Sequence, residues 1–129
     1  MIYVDSSVVL AWLLAEEKAP PDALFDEEVV ASRLLEYEVW MRIHASTVAR
    51  LRSAEARTVL ERFDFYDMTP AVLARALEPF PVAIRTLDAM HLATAIYLIG
   101  TGNEIALASY DRRMLDAAAA LDIPLHRLN

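Results

Sequence analysis

The chain has 129 residues, of which 57% are hydrophobic and 24% charged; 12 basic against 19 acidic side chains give a formal net charge of −7. That is one ordinary domain with enough apolar material for a sizeable core, which excludes a disordered chain, and its longest apolar run (Val8 to Ala15) is far short of the roughly 20 residues of a membrane span. The acidic balance taken alone argues against a nucleic-acid binder, and the lack of cysteine excludes disulfides, thiolate nucleophiles and zinc-ribbon or iron–sulfur ligation.

Ile2 to Val4 reads as a short buried strand. It leads into Asp5-Ser6-Ser7, residue types that accept hydrogen bonds from a first helical turn, and a helix from Val8 to about Glu17. This amino terminus has no basic region and reaches an acid at the fifth residue, so it is not expected to be a signal peptide, and a cytoplasmic location is expected. Pro20-Pro21 stops the first helix, and a helical turn at Asp22 to Phe25 precedes a second strand, Glu28 to Ser32. A helix capped by Ser32 is expected from Arg33 to about Arg50, and another, capped by Ser53, from Ala54 to Phe63. A third strand, Phe65 to Met68, leads to Thr69-Pro70, a cap followed by proline at the first helical position. Thr86 is read as the cap of Leu87 to Ile99, which is apolar on nearly every face and therefore central. A fourth strand at Ile105 to Ala108, a helix from Asp111 to Leu121 and a terminal strand from Pro124 to Leu128 complete the chain. Short apolar strands alternating with helices imply an α/β three-layer sandwich, a short, mostly parallel sheet flanked by helices, formed by residues 1–129 as a single domain.

In such a sheet, ligands gather beyond the carboxyl ends of the strands. Asp5 lies there, Asp111 lies three residues past Ala108, Glu38 falls in the second turn after strand two, and Asp88 in the first turn of the central helix. Four carboxylates from distant segments thus converge on one edge. Their mutual repulsion calls for protons or cations, and oxygen donors point to Mg²⁺ or Mn²⁺. Each acid also has a structural reading: Asp5 and Asp111 as helix caps, Asp88 as a complement to the helix dipole, and Glu38 as a partner of Arg42. Glu36 points about 200° away from Glu38 around the helix and is the weaker alternative.

Four segments, in order, resemble the motifs of PIN-domain ribonucleases, in particular the VapC toxins of toxin–antitoxin pairs. These are Met1-Ile-Tyr-Val-Asp-Ser-Ser, Ser32-Arg-Leu-Leu-Glu-Tyr-Glu-Val, Arg85-Thr-Leu-Asp-Ala-Met-His-Leu-Ala-Thr-Ala and Ser109-Tyr-Asp-Arg-Arg-Met-Leu. The family often has threonine after the first aspartate, and Ser6 keeps that hydroxyl. The resemblance implies a Mg²⁺- or Mn²⁺-dependent endoribonuclease with Asp5, Glu38, Asp88 and Asp111 as catalytic metal ligands and Ser6 and Ser109 orienting them or touching phosphate. It also implies an RNA substrate, a cognate antitoxin and a homodimer.

Arg112 and Arg113 beside Asp111 are placed to meet RNA phosphate, whereas Asp116 is expected to pair with one of them. Arg42, Arg50, Arg52, Arg57 and Arg62 form either a backbone track or a solvated helix face. His91 is read as packing or hydrogen-bonding near Asp88. Trp12, Leu13 and Trp40 are candidates for partner surfaces. The rival readings are a non-catalytic PIN-like binding protein and a haloacid-dehalogenase-type phosphatase; the latter needs an acid at the position of Ser7.

Overall fold

A computed structural model describes all 129 residues. Four strands, β1 (Ile2–Val4), β2 (Val29–Ser32), β3 (Asp64–Tyr66) and β4 (Ala106–Ala108), form a fully parallel sheet in the order β3-β2-β1-β4. The helices are α1 (Ser6–Leu13), α2 (Leu34–Ala45), α3 (Thr47–Arg50), α4 (Ser53–Leu60), α5 (Pro70–Ala76), α6 (Thr86–Gly100) and α7 (Arg112–Ala120), with a 3-10 turn at Asp22–Asp26.

Every residue of β1 and β2 is buried, as inner strands covered on both faces require. Alternation along the strands divides the apolar side chains between two cores. Ile2, Val4, Val29 and Ala31 pack with residues of α1, α2 and α4, whereas Tyr3, Val30 and Leu107 pack with residues of α6 and α7. The three layers are those expected from the alternation of elements.

The strand order also places the site. From β1 the chain moves outward through β2 to β3, then returns across the sheet to lay β4 against the free side of β1. The direction of winding therefore reverses between β1 and β4, and the crevice beyond their carboxyl ends is the topological switch point of the fold.

Several expected boundaries differ. The first helix ends at Leu13 rather than near Glu17, because Ala15 turns into the left-handed region (φ 50°), a stop that no glycine announced. The long helix after β2 breaks at Ser46, whose hydroxyl accepts the Ala49 N–H and restarts the chain as α3. Ser53 and Thr86 begin their helices rather than precede them, while the Ser32 hydroxyl does accept the Leu34 N–H. The terminal strand is reduced to one bridge, Leu125 to Leu107, held by the Leu107 N–H on Pro124 O and the His126 N–H on Leu107 O.

Leu107 is fully buried in a pairing strand, whereas Leu51 is 81% exposed. Leu107→Ala is expected to lower unfolding free energy by about 2–5 kcal/mol, and Leu51→Ala by less than about 0.5 kcal/mol. Urea unfolding of both variants checks this; equal losses would contradict the division into core and surface.

Candidate active site

Asp5 follows β1 directly, and its backbone N–H still donates to the Ala108 carbonyl of β4 at 3.0 Å. The strand ladder thereby carries this residue to the switch point. It stands at the N-cap of α1, yet its side chain accepts no helix N–H. Instead Oδ2 accepts from the Ser7 hydroxyl at 2.7 Å and the Ser109 hydroxyl at 2.8 Å, in a pocket that leaves Asp5 only 3% exposed. The capping alternative is therefore not what this carboxylate does.

Ser6 joins Asp5 to the next acid. Its hydroxyl donates to Glu38 Oε2 at 3.0 Å and lies 3.5 Å from Asp5 Oδ1. The other Glu38 oxygen, Oε1, meets Nε2 of His91 at 2.6 Å, not Arg42. Glu36 forms an ion pair with Arg33 at 3.1 Å instead. The helical register of α2 turns these two glutamates to different sides, and Glu38 is the one on the side of Asp5.

Asp88 is half-buried in the first turn of α6, and its Oδ2 is buried without a hydrogen-bond partner. Burial, and then the negative charges of Asp111 and Asp5, push its carboxyl above the ordinary range, although a backbone hydrogen bond at Arg85 and the nearby His91 pull the other way. Asp111 does cap α7, accepting the Arg113 N–H at 2.9 Å, while its own N–H donates to the Ser109 hydroxyl at 2.9 Å. For Asp111 the capping role and a place within electrostatic reach of Asp88 coexist.

Asp5, Glu38, Ser6 and Ser109 thus form one hydrogen-bonded set, and Asp88 and Asp111 adjoin it through their charges. No three of the acids and histidines are gathered as a finished metal cage. The donors nevertheless fit a hard divalent cation: all are oxygens, and Asp88 Oδ2 is a buried acceptor with nothing to accept. An apolar groove of about 580 Å³ lies elsewhere, between α5 and α6, and is lined by residues such as Leu73, Leu77 and Phe80. None of the four acids lines that groove.

Three participants were not assigned to the site from sequence. Ser7 donates to Asp5 and accepts the Tyr110 N–H at 3.0 Å; its place two residues after Asp5 was the available signal. His91 lies three residues after Asp88 and so shares its helix face, a signal read chiefly as packing or hydrogen-bonding near Asp88. Tyr3 carried no signal at all.

The surface expectations fare unevenly. Asp116 forms no ion pair with Arg112 or Arg113, both of which are exposed. Of the five arginines between Arg42 and Arg62, three serve the fold itself. Arg52 stacks over Trp12 and donates to its carbonyl, Arg57 stacks over Trp40, and Arg62 pairs with Asp26. Trp12 and Leu13 are buried core residues and offer no partner surface, because α1 turns them toward Phe25 and the first core.

A four-stranded parallel sheet with acids at its switch point agrees with the family that the sequence matches: the PIN domain, over residues 2–120. The chain belongs to the PIN-domain family. Within it the chain is VapC-like, since its similarity to curated VapC proteins of Mycobacterium tuberculosis runs nearly end to end. It is 33% identical to Ribonuclease VapC35 over 128 residues (95% of this chain, 93% of the relative) and 37% identical to Ribonuclease VapC46 over 126 residues (93% and 92%). It is 29% identical to Ribonuclease VapC47 over 122 residues (89% and 88%). This membership displaces the phosphatase reading.

Two of the displaced pKa values, those of Asp88 and His91, bear on how stability depends on pH without divalent ions. A carboxyl whose folded pKa is raised, as for Asp88, costs stability as pH climbs from its ordinary 3.8 through the folded value. His91 is desolvated, which lowers its pKa, but Glu38, Asp5 and Asp88 outweigh this and raise it, so its contribution is complete below 6.5 and lost as pH rises through the folded value. In EDTA, the stability of Asp88→Asn relative to the unsubstituted protein is expected to shift in the variant's favour between about pH 4 and pH 7. Urea midpoints across that range test it, and a constant or opposite difference contradicts it.

Proposed function

We propose that this chain is a divalent-metal-dependent endoribonuclease of the VapC type, hydrolysing RNA phosphodiester bonds as the toxin of a toxin–antitoxin pair. The observation that carries the reading is the meeting of four acids, from four separate segments, on the switch-point edge of a chain whose near full-length relatives are named ribonucleases. Asp5, Glu38, Asp88 and Asp111 would hold Mg²⁺ or Mn²⁺, directly or through water. A divalent cation supplies positive charge against the phosphate and lowers the pKa of a water at neutral pH.

The chain's own groups supply the rest. Ser7 and Ser109 both donate to Asp5 Oδ2 and so fix the orientation of that carboxylate at the end of β1. Ser6 holds Glu38 toward Asp5. Ser109 also orders the turn into α7 through the Asp111 N–H, which couples the last acid to the first. Arg112 and Arg113, at the exposed start of α7, are assigned to RNA phosphates. A cognate antitoxin, a homodimer and a cytoplasmic setting belong to the same proposal. The absence of cysteine accords with a reducing compartment, and no helix is long and apolar enough to cross a membrane.

Mn²⁺ is expected to raise the melting temperature of the protein and to be required for cleavage of single-stranded RNA, with both effects lost in Asp5→Asn and Asp88→Asn variants that remain folded. Unchanged cleavage in excess EDTA would sink the proposal. Arg112→Ala and Arg113→Ala are each expected to weaken RNA binding similarly across sequences and to reduce the salt dependence by about 0.7 in the log–log slope. Filter binding between low and moderate salt measures this, and an unchanged slope removes the arginines from the RNA path.

A further inference from the structure

Neither ring nitrogen of a buried histidine can be left without a partner at no cost, and on the central helix α6 the partners of His91 need not be backbone. His91 is 1% exposed, and both ring nitrogens meet side chains from other elements: Nδ1 lies 2.9 Å from the Tyr3 hydroxyl of β1, and Nε2 lies 2.6 Å from Glu38 Oε1 of α2. Tyr3 is fully buried, sits edge-on to the imidazole with ring centroids 6.0 Å apart, and its oxygen accepts the Ser32 N–H at the end of β2 at 3.0 Å. One line of contacts therefore runs from the backbone of β2, through two buried rings, to a carboxylate at the active edge.

Proton accounting gives the line a direction. The Tyr3 oxygen accepts the Ser32 N–H, and a buried phenol keeps its own proton at neutral pH. Glu38 Oε1, a carboxylate oxygen, accepts, so Nε2 is the donor of that pair, and in a neutral ring Nδ1 is left to accept from the Tyr3 hydroxyl. In a charged ring Nε2 donates as well. The contact with Glu38 is thus independent of the charge on His91.

We infer that His91, with its tautomer set jointly by Glu38 and Tyr3, is a positioning residue for Glu38: the Nε2–H fixes one carboxylate oxygen while the Ser6 hydroxyl fixes the other, so that Glu38 is held ready for a cation. The inference rests on the metal-binding reading of the acidic edge. Its physical basis is that groups hydrogen-bonded to a ligand set that ligand's orientation, and that losing them typically weakens metal affinity 10- to 100-fold, about the size expected here.

Two measurements test it. In the metal-free protein, two-bond ¹⁵N correlation spectra of the histidine rings should show His91 with its proton on Nε2, and in Tyr3→Phe this preference should relax toward a mixture. A neutral ring protonated on Nδ1 overturns the inference. By calorimetry, His91→Leu should bind Mn²⁺ 10- to 100-fold more weakly, about the range for an outer partner of a ligand, while His91→Gln, whose amide donates from nearly the same place, should recover most of the loss. A folded His91→Leu that binds Mn²⁺ like the unsubstituted protein overturns the inference, as does an equal loss in the leucine and glutamine variants. Should the leucine variant fail to fold, the glutamine variant and the ring spectra decide. Unsubstituted protein that binds no Mn²⁺ sinks the metal reading instead, and the ring spectra then judge the anchoring of Glu38 separately.

Discussion

The structure depends on how one buried carboxylate is satisfied. Asp5 is 3% exposed at the end of the first strand, where an unpaired charge would be expensive. Its Oδ2 is met by hydroxyls from both sides of the switch point, Ser7 from α1 and Ser109 from beyond β4. Satisfying Asp5 therefore joins the two segments on which the fold reverses its winding. The same serines continue outward, Ser7 accepting the Tyr110 N–H and Ser109 the Asp111 N–H. The turn into α7 is set by what Asp5 requires.

Around that fixed point, the other acids are held to unequal degrees. Glu38 is tethered at both oxygens, Asp111 is tethered by its cap, and Asp88 has one oxygen buried with no partner. Burial of this least tethered member raises its carboxyl first, and the negative charges of Asp111 and Asp5 add to that. Natural sequences tolerate local conflicts of this kind mainly where function needs them. The unsatisfied oxygen and the raised pKa are two signs of a single conflict between folding and the proposed cation site.

How much of this was legible in the sequence differed by the kind of signal. The four strands, the α/β layering and the placement of acids past strand ends followed from apolar runs and punctuation, because burial imposes those patterns directly. Helical periodicity showed that Glu38 and Glu36, about 200° apart, could not share one face, but it was the resemblance to the family that put the acid on Glu38. The end of α1 was missed, because Ala15 takes a left-handed turn without the glycine that normally marks it. The terminal strand was overread: Pro124 to Leu128 is apolar enough, but only Leu125 bridges to β4. Trp12 was misplaced because an aromatic residue on a helix has the same appearance in sequence whether it anchors a partner or its own core. The Tyr3–His91 line was not legible, since its members are 88 positions apart and meet only through the sheet.

The net charge of −7 can now be weighed against the proposed substrate. Arginines that would have formed a broad positive field are largely consumed internally, with Arg52 and Arg57 on tryptophan faces and Arg62 on Asp26. A general electrostatic attraction to RNA therefore has little to rest on, and contact has to be local. Arg112 and Arg113 have the required character. They open α7 at the positive end of its dipole, where cations gain nothing from the helix, and they form no ion pair within the chain. Helix stability does not account for two arginines there. Under the proposed function, a phosphate held between them and a cation on the neighbouring acids would account for the pair, and the acidic balance would then be selective: an RNA strand would be attracted only where its backbone reaches the arginine pair and the acidic edge together.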